Sequence, residues 1–177
     1  MNPMSLSGPI TAASVLLVVG GATKLRRPGN AVQALRALGL PAVALAVRLL
    51  AVAEIGIGMV AMAQGGRLMW SLVAVSYLGF AGFVLFARAQ GGGVSSCGCF
   101  GGRDTAPTLT HVLLGLSASG LAFAAAFTHP PGPLLDGLRS QPLLGVPFVI
   151  LTGCCAWFAY AAIAILPATA AFSTGER

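Results

Sequence analysis

Charge is scarce in this sequence, and the scarcity decides its solvent. Only 8% of the 177 residues are Asp, Glu, Lys or Arg, and just four of those are acidic. A soluble domain of this length carries about a quarter charged residues to keep its surface wet, so too few are present here to cover a globule. Residues Met1 to Gly8 contain no Lys or Arg, so the basic n-region of a secretory signal peptide is missing. No basic stripe interleaved with aromatics accompanies the net charge of +6, which argues against a nucleic-acid partner. Repeats, linkers and a second compositional unit are likewise absent, and residues 1–177 read as one integral membrane domain.

What is present is apolar. Hydrophobic residues make up 56% of the chain and the mean hydropathy is +0.89. They lie in long runs nearly free of charge, where a soluble amphipathic helix would show a stripe. About 20 such residues cross roughly 30 Å of hydrocarbon. Lipid cannot satisfy backbone polar groups, so the runs must be helices. The expected fold is an all-α, polytopic membrane helical bundle with about five spans, near 7–23, 42–63, 69–87, 108–128 and 143–168.

Between the first two spans, Leu25 to Asn30 forms a basic turn with Pro28 and Gly29 as breakers. Val32, Leu35 and Leu38 then recur at three-residue spacing, which suits a short interfacial helix, and Gly39 and Pro41 end it. Thr108 or Thr110 is a plausible N-cap for the fourth span. Gly115 with Ser119, and Gly79 with Gly82, are spaced to let helices approach closely. Trp70 reads as an interface anchor, and Trp157 and Tyr160 as packing residues.

The cations set the orientation. Lys24, Arg26, Arg27, Arg36, Arg48, Arg88 and Arg103 fall on one side, and Arg67 and Arg139 on the other. For a plasma-membrane protein the positive-inside rule then puts the loop after the third span in the cytoplasm. Whatever the absolute sidedness, the first loop and that loop share a side.

That loop, GGGVSSCGCFGGRDTAP over 91–107, holds the sharpest chemical signal, Cys97-Gly98-Cys99. Two thiols one residue apart can close a small ring, and the intervening glycine permits the dihedrals it needs. Strained, exposed disulfides are exchange-active. Arg103 and His111, the latter one turn into the fourth span, would favour the thiolate. The residues leave three readings open: a redox pair, a static staple, or thiolate metal capture with His111, a set that still lacks a fourth tetrahedral ligand. Cys154-Cys155 sits well inside the fifth span. Adjacent helical cysteines point about 100° apart and cannot bridge without unwinding the helix, so they read first as small hydrophobes. Glu54 is the only acidic residue within a span. A carboxyl group there is neutral, paired or functional, with roles in helix–helix bonding or in proton or quinone chemistry. Arg48, six residues back, is on another face of the helix.

These residues carry a resemblance. Gly20-Gly21-Ala22-Thr23-Lys24-Leu25, Pro28 and Ala34 to Pro41 are similar to the opening of the DoxX-like membrane proteins, and Ala53-Glu54 with Gly56 and Gly58 to their second-helix acidic motif. Ser96-Cys97-Gly98-Cys99-Phe100-Gly101 resembles the hallmark of the MauE branch, the methylamine-utilisation accessory proteins. The ordered set spans Gly20 to about Thr128.

The resemblance implies a small helical bundle, five spans included. It implies help in maturing a disulfide-rich exported client, alongside a thioredoxin-fold partner. It singles out Cys97 and Cys99, then Glu54 and Lys24, and it does not carry methylamine itself over as a substrate. Oxidative maturation favours a cysteine loop outside the cell, whereas the cations place it inside. A cytoplasmic loop suits intake of reducing equivalents from a thiol donor. No cofactor is required by this reading, although a quinone is compatible with it. A non-catalytic subunit or anchor scaffolding a larger complex is the alternative of a different class.

Overall fold

The computed structural model describes residues 3–90, 109–128, 134 and 142–164, and among these every regular element is a helix. They are α1 (Pro3–Arg26), α2 (Pro28–Ala37), α3 (Ala44–Gln64), α4 (Arg67–Ala89), α5 (Leu109–Phe127) and α6 (Pro142–Ala164). Four are long and apolar enough to cross a membrane: Gly8–Arg26, Ala44–Gln64, Arg67–Ala89 and Leu109–Phe127. Pro147–Ala161 within α6 is a shorter apolar stretch. The chain is a multi-pass helical membrane protein.

Local chemistry explains the joints. The helix breaks within the expected basic segment, at Arg27 directly before Pro28, but the break is one residue long and Pro28 and Gly29 are themselves helical. α1 runs on through Lys24 to Arg26, and Pro28 opens α2, where its missing N–H costs nothing and its fixed φ already suits a helix. The joint between α3 and α4 is Gly65-Gly66, with φ of 64° and 89°. Backbone of that hand is costly for any residue with a Cβ. The reversal is therefore tight, and it returns α4 antiparallel beside α3. At its start, Arg67 Nε donates to the Ala126 carbonyl at 3.2 Å, and its guanidinium lies 5.3 Å from the Phe127 ring centroid. A cation thereby meets the unpaired carbonyls at the end of α5.

α1 is the hub, touching α2, α3, α5 and α6, while α4 packs most extensively on α5. Small residues make the α4–α5 seam. A Cβ on Gly115 would stand 3.2 Å from the Ala81 Cβ, and Ser119 Oγ donates to the Ala74 carbonyl at 2.9 Å. Close backbone approach with an interhelical hydrogen bond is how helices associate without a hydrophobic driving force. Gly79 and Gly82 do not take part as expected. Nothing stands within 4 Å of a Cβ built on either, because both lie on the outward face of α4.

Two other expectations are corrected. Trp70 is no interface anchor. It is 2% exposed and belongs to a buried cluster with Ile10, Leu17, Ala61 and Ala122, since its side of the first turn of α4 faces α1, α3 and α5 while Leu68 faces outward. Trp157 stacks on Tyr160 at 5.9 Å but is 60% exposed, as α6 meets the bundle along one side only. Leu45, Leu113 and Phe158 also face outward, which is ordinary against lipid and would be an aggregation liability in water.

α2 covers its apolar face with protein. Val32 packs with Ala42 and Val47 of the α3 entry, and Ala34 and Leu38 pack on Ala87 and Phe83 near the end of α4. Val84 and Val112 join the end of α4 to the start of α5. The first loop and both helix ends that flank residues 91–108 thus lie on one side of the bundle.

Candidate functional site

The two helical motifs singled out from the sequence meet. α1 and α3 cross where Gly21 faces Ala51, and a Cβ on Gly21 would lie 2.7 Å from the Ala51 carbonyl oxygen and 2.8 Å from Ile55. A second contact repeats lower down, where a Cβ on Gly58 would stand 2.7 Å from Val18 and 2.9 Å from the Ser14 carbonyl oxygen. Backbone can come this close only without side chains between. Lys24 follows Gly21 by three residues, and Glu54 precedes Gly58 by four, so each shares a helix face with its glycine. The approach brings the two charges together. Lys24 Nζ donates to Glu54 Oε1 at 2.6 Å and to Oε2 at 2.7 Å, with the side chains 13% and 12% exposed.

Glu54 therefore has a partner, supplied from 30 residues away in sequence. Arg48, the nearest cation on its own helix, is exposed. A lone carboxylate at mid-helix in a membrane is costly, and pairing with good geometry is what makes it tolerable. Lys24 turns its head to α3, and α1 continues past it to Arg26.

A cavity of about 240 Å³ adjoins the pair and is lined by α1, α4, α5 and α6 together with Glu54. Its α1 wall runs from Pro9 to Lys24, so Lys24 and Glu54 stand at one end of a largely apolar slot that also holds Ser76, Tyr77 and Ser117. Tyr77 is half-buried in the wall and donates from its hydroxyl to the Ala13 carbonyl at 2.6 Å. The sequence reading passed over Tyr77. The available signal was a tyrosine in the middle of an apolar span, whose hydroxyl must find a partner out of water.

The remaining sulfur and imidazole groups are placed as follows. His111 is 1% exposed, facing α4 with its ring centroid 6.5 Å from that of Phe80. Cys154 and Cys155 carry free thiols and are exposed on α6 instead of buried, and Cys155 also borders the cavity. Thr110 lies inside α5, and Thr108 is outside the described residues. Cys97, Cys99 and Arg103 also lie outside them, and with them the pairing of the thiols and their relation to His111. Among the described residues no group of three His, Cys, Asp or Glu side chains is placed to hold a metal ion.

The motif order along the chain has a counterpart in known proteins. A family model described as "Methylamine utilisation protein MauE" matches residues 4–129 of the 177, well over half the chain. The chain belongs to the MauE family. No curated protein and no solved structure matches it. The family match takes in α1 to α5, the Lys24–Glu54 pair and the Cys97-Gly98-Cys99 sequence, and it stops short of α6 and Cys154-Cys155.

Proposed function

We propose that this MauE-family protein is a membrane accessory factor that exchanges thiols and disulfides with a thioredoxin-fold partner during maturation of a disulfide-rich client. The family description, methylamine utilisation, names the setting in which such a factor is expected. The observation that carries the reading is Cys97-Gly98-Cys99, a close thiol pair in a glycine-rich stretch inside the family match. The bundle supports it by holding the end of α4 and the start of α5, which that stretch joins, side by side.

The chemistry balances within the two proteins. Cys97 or Cys99, as thiolate, attacks a partner disulfide and forms a mixed disulfide, releasing one partner thiolate. The second loop cysteine then attacks its neighbour's sulfur, which frees the other partner thiolate and closes the Cys97–Cys99 ring. Two electrons pass to the partner, and its two thiolates take up the protons that the loop thiols lose. Run in reverse, the same steps reduce the loop and oxidise the partner. The leaving-group and attacking thiol acidities set the rates.

Trapping is the direct test. A Cys99→Ser variant, or Cys97→Ser, is expected to accumulate a covalent adduct that survives acid quenching and disappears on reduction. Absence of an adduct in both single variants, with full activity of the double variant in its host, would end the redox reading.

The cations further support a cytoplasmic position for the loop. In a Cys154→Ser/Cys155→Ser background, an impermeant maleimide is expected to label Cys97 and Cys99 only after the membrane is opened. Labelling in intact, reduced cells would reverse the orientation.

A further inference from the structure

We propose that the corner where α2 meets the start of α3 is a headgroup site for an anionic phospholipid, with Arg36 and Arg48 on its phosphate. Charge balance comes first. The sequence holds ten Lys and Arg against four Asp and Glu. Glu54, the only acid among the described residues, is taken up by Lys24. Asp104, Asp136 and Glu176 are too few to neutralise the remaining cations. Arg26, Arg27, Arg36 and Arg48 are all exposed on the α2 side of the bundle, so their counter-charge has to come from outside the chain.

Arg48 stands on lipid-facing surface. Leu45, Arg48, Leu49 and Val52 fall at i, i+3, i+4 and i+7 of α3, which is one face of the helix, and all four are exposed. Arg48 lies four residues in from Ala44, about 6 Å at 1.5 Å per residue. A cation on such a wall is costly unless its head reaches the interface and meets an anion. Helical side chains lean toward the N-terminus, so the Arg48 stem leads back to the first turn of α3. Arg36 is already held at that level. Its Nε donates to the Ala42 carbonyl at 3.1 Å, which leaves the terminal N–H groups of its fork for a ligand. Val32 and Ala34 pack the apolar side of α2 on protein, and Gln33 and Arg36 face out.

The corner is therefore cationic above and apolar below. An acidic soluble protein would meet the arginines and leave Leu45, Leu49 and Val52 uncovered. A zwitterionic lipid brings no net charge. A planar carboxylate is matched by one guanidinium fork, whereas a tetrahedral phosphate turns oxygens toward two. An anionic phospholipid satisfies both surfaces, its acyl chains lying on the wall of α3. The corner shares no residue with the slot beside Lys24 and Glu54, and it needs neither Cys97 nor Cys99.

Native mass spectrometry of the full chain in a neutral detergent, at physiological ionic strength, reads the preference. The probes are phosphatidylglycerol and phosphatidylcholine with identical acyl chains, and the first is expected to bind at least tenfold tighter. One cation beside an anionic headgroup is worth about fivefold. Arg36→Gln and Arg48→Gln are each expected to lose about that factor, and the double variant to lose the preference. Arg48 bonds to none of the described residues, so Arg48→Gln carries the test even where Arg36→Gln disturbs the start of α3. Arg27 is nine residues from Arg36 along α2, roughly 13 Å and beyond the screening length of about 8 Å. Arg26→Gln/Arg27→Gln is therefore expected to change the affinity less than twofold. Excess inorganic phosphate, oleate or polyglutamate is expected not to displace the lipid. Equal binding of the two lipids, a preference that survives the double variant, or an equal loss in Arg26→Gln/Arg27→Gln would each overturn the assignment. Displacement by phosphate or oleate would do the same, and displacement by polyglutamate would give the arginines to an acidic protein instead.

Discussion

Replacing Lys24 with methionine, or Glu54 with leucine, is expected to destabilise the bundle by about 3 kcal/mol, while replacing both costs less than either alone. Removing one partner of a buried ion pair leaves an uncompensated charge, at about 3–5 kcal/mol. The side chains here remain 13% and 12% exposed, which places the effect at the lower end. Losing both charges removes the desolvation cost together with the attraction, and such swaps are often neutral. Equilibrium unfolding in mixed micelles, run as a double-mutant cycle, reads the coupling directly. If the two single effects simply add in the double variant, the pair does not stabilise the fold.

The second large effect concerns four glycines that look alike in sequence. Gly21→Ala and Gly58→Ala are expected to lose about 1–3 kcal/mol, because each new methyl would meet a backbone carbonyl at under 3 Å. Backbone on a packed helix cannot swing aside like a side-chain tip. Gly79→Ala and Gly82→Ala meet nothing within 4 Å and are expected to gain up to about 1 kcal/mol from helix propensity. The sign of the change therefore separates the two pairs in one unfolding series. Gly21 adds a further check. Pushing α1 away from α3 also pulls Lys24 from Glu54, so Gly21→Ala should cost less where both charges have already been removed. An unchanged cost in that background would show that the close approach and the ion pair are independent.

These two effects share one design. The glycines remove the steric barrier between α1 and α3, and the charges are satisfied only because that barrier is gone. The motifs Gly20 to Lys24 and Ala53 to Gly58 are therefore two halves of one contact. The slot opens beside it, and among the described residues the charged groups in its wall are Lys24 and Glu54. Packing and charge pairing therefore depend on one helix crossing.

Much of this was legible before any coordinates. The scarcity of charge alone required lipid as the solvent, and lipid required helices, since each unpaired backbone group there costs several kcal/mol. The cost of Glu54 was equally plain, because a carboxyl group inside an apolar run is conspicuous on its own. Its partner was not. Lys24 reads as the charge that ends a span, and nothing in a linear pattern shows that a long side chain turns back toward a helix 30 residues on. Nor could spacing separate Gly115 and Ser119, which do pack, from Gly79 and Gly82, which face outward. Helical periodicity places residues on common faces but leaves open which face meets a neighbour, and in lipid no hydrophobic stripe marks the choice. By itself, then, the sequence determined the solvent, the helices and the chemical vocabulary of Cys97, Cys99, Glu54 and Lys24. Tertiary structure alone decided that Lys24 and Glu54 touch, since close approach between helices depends on the shapes of both surfaces and is written in neither one separately.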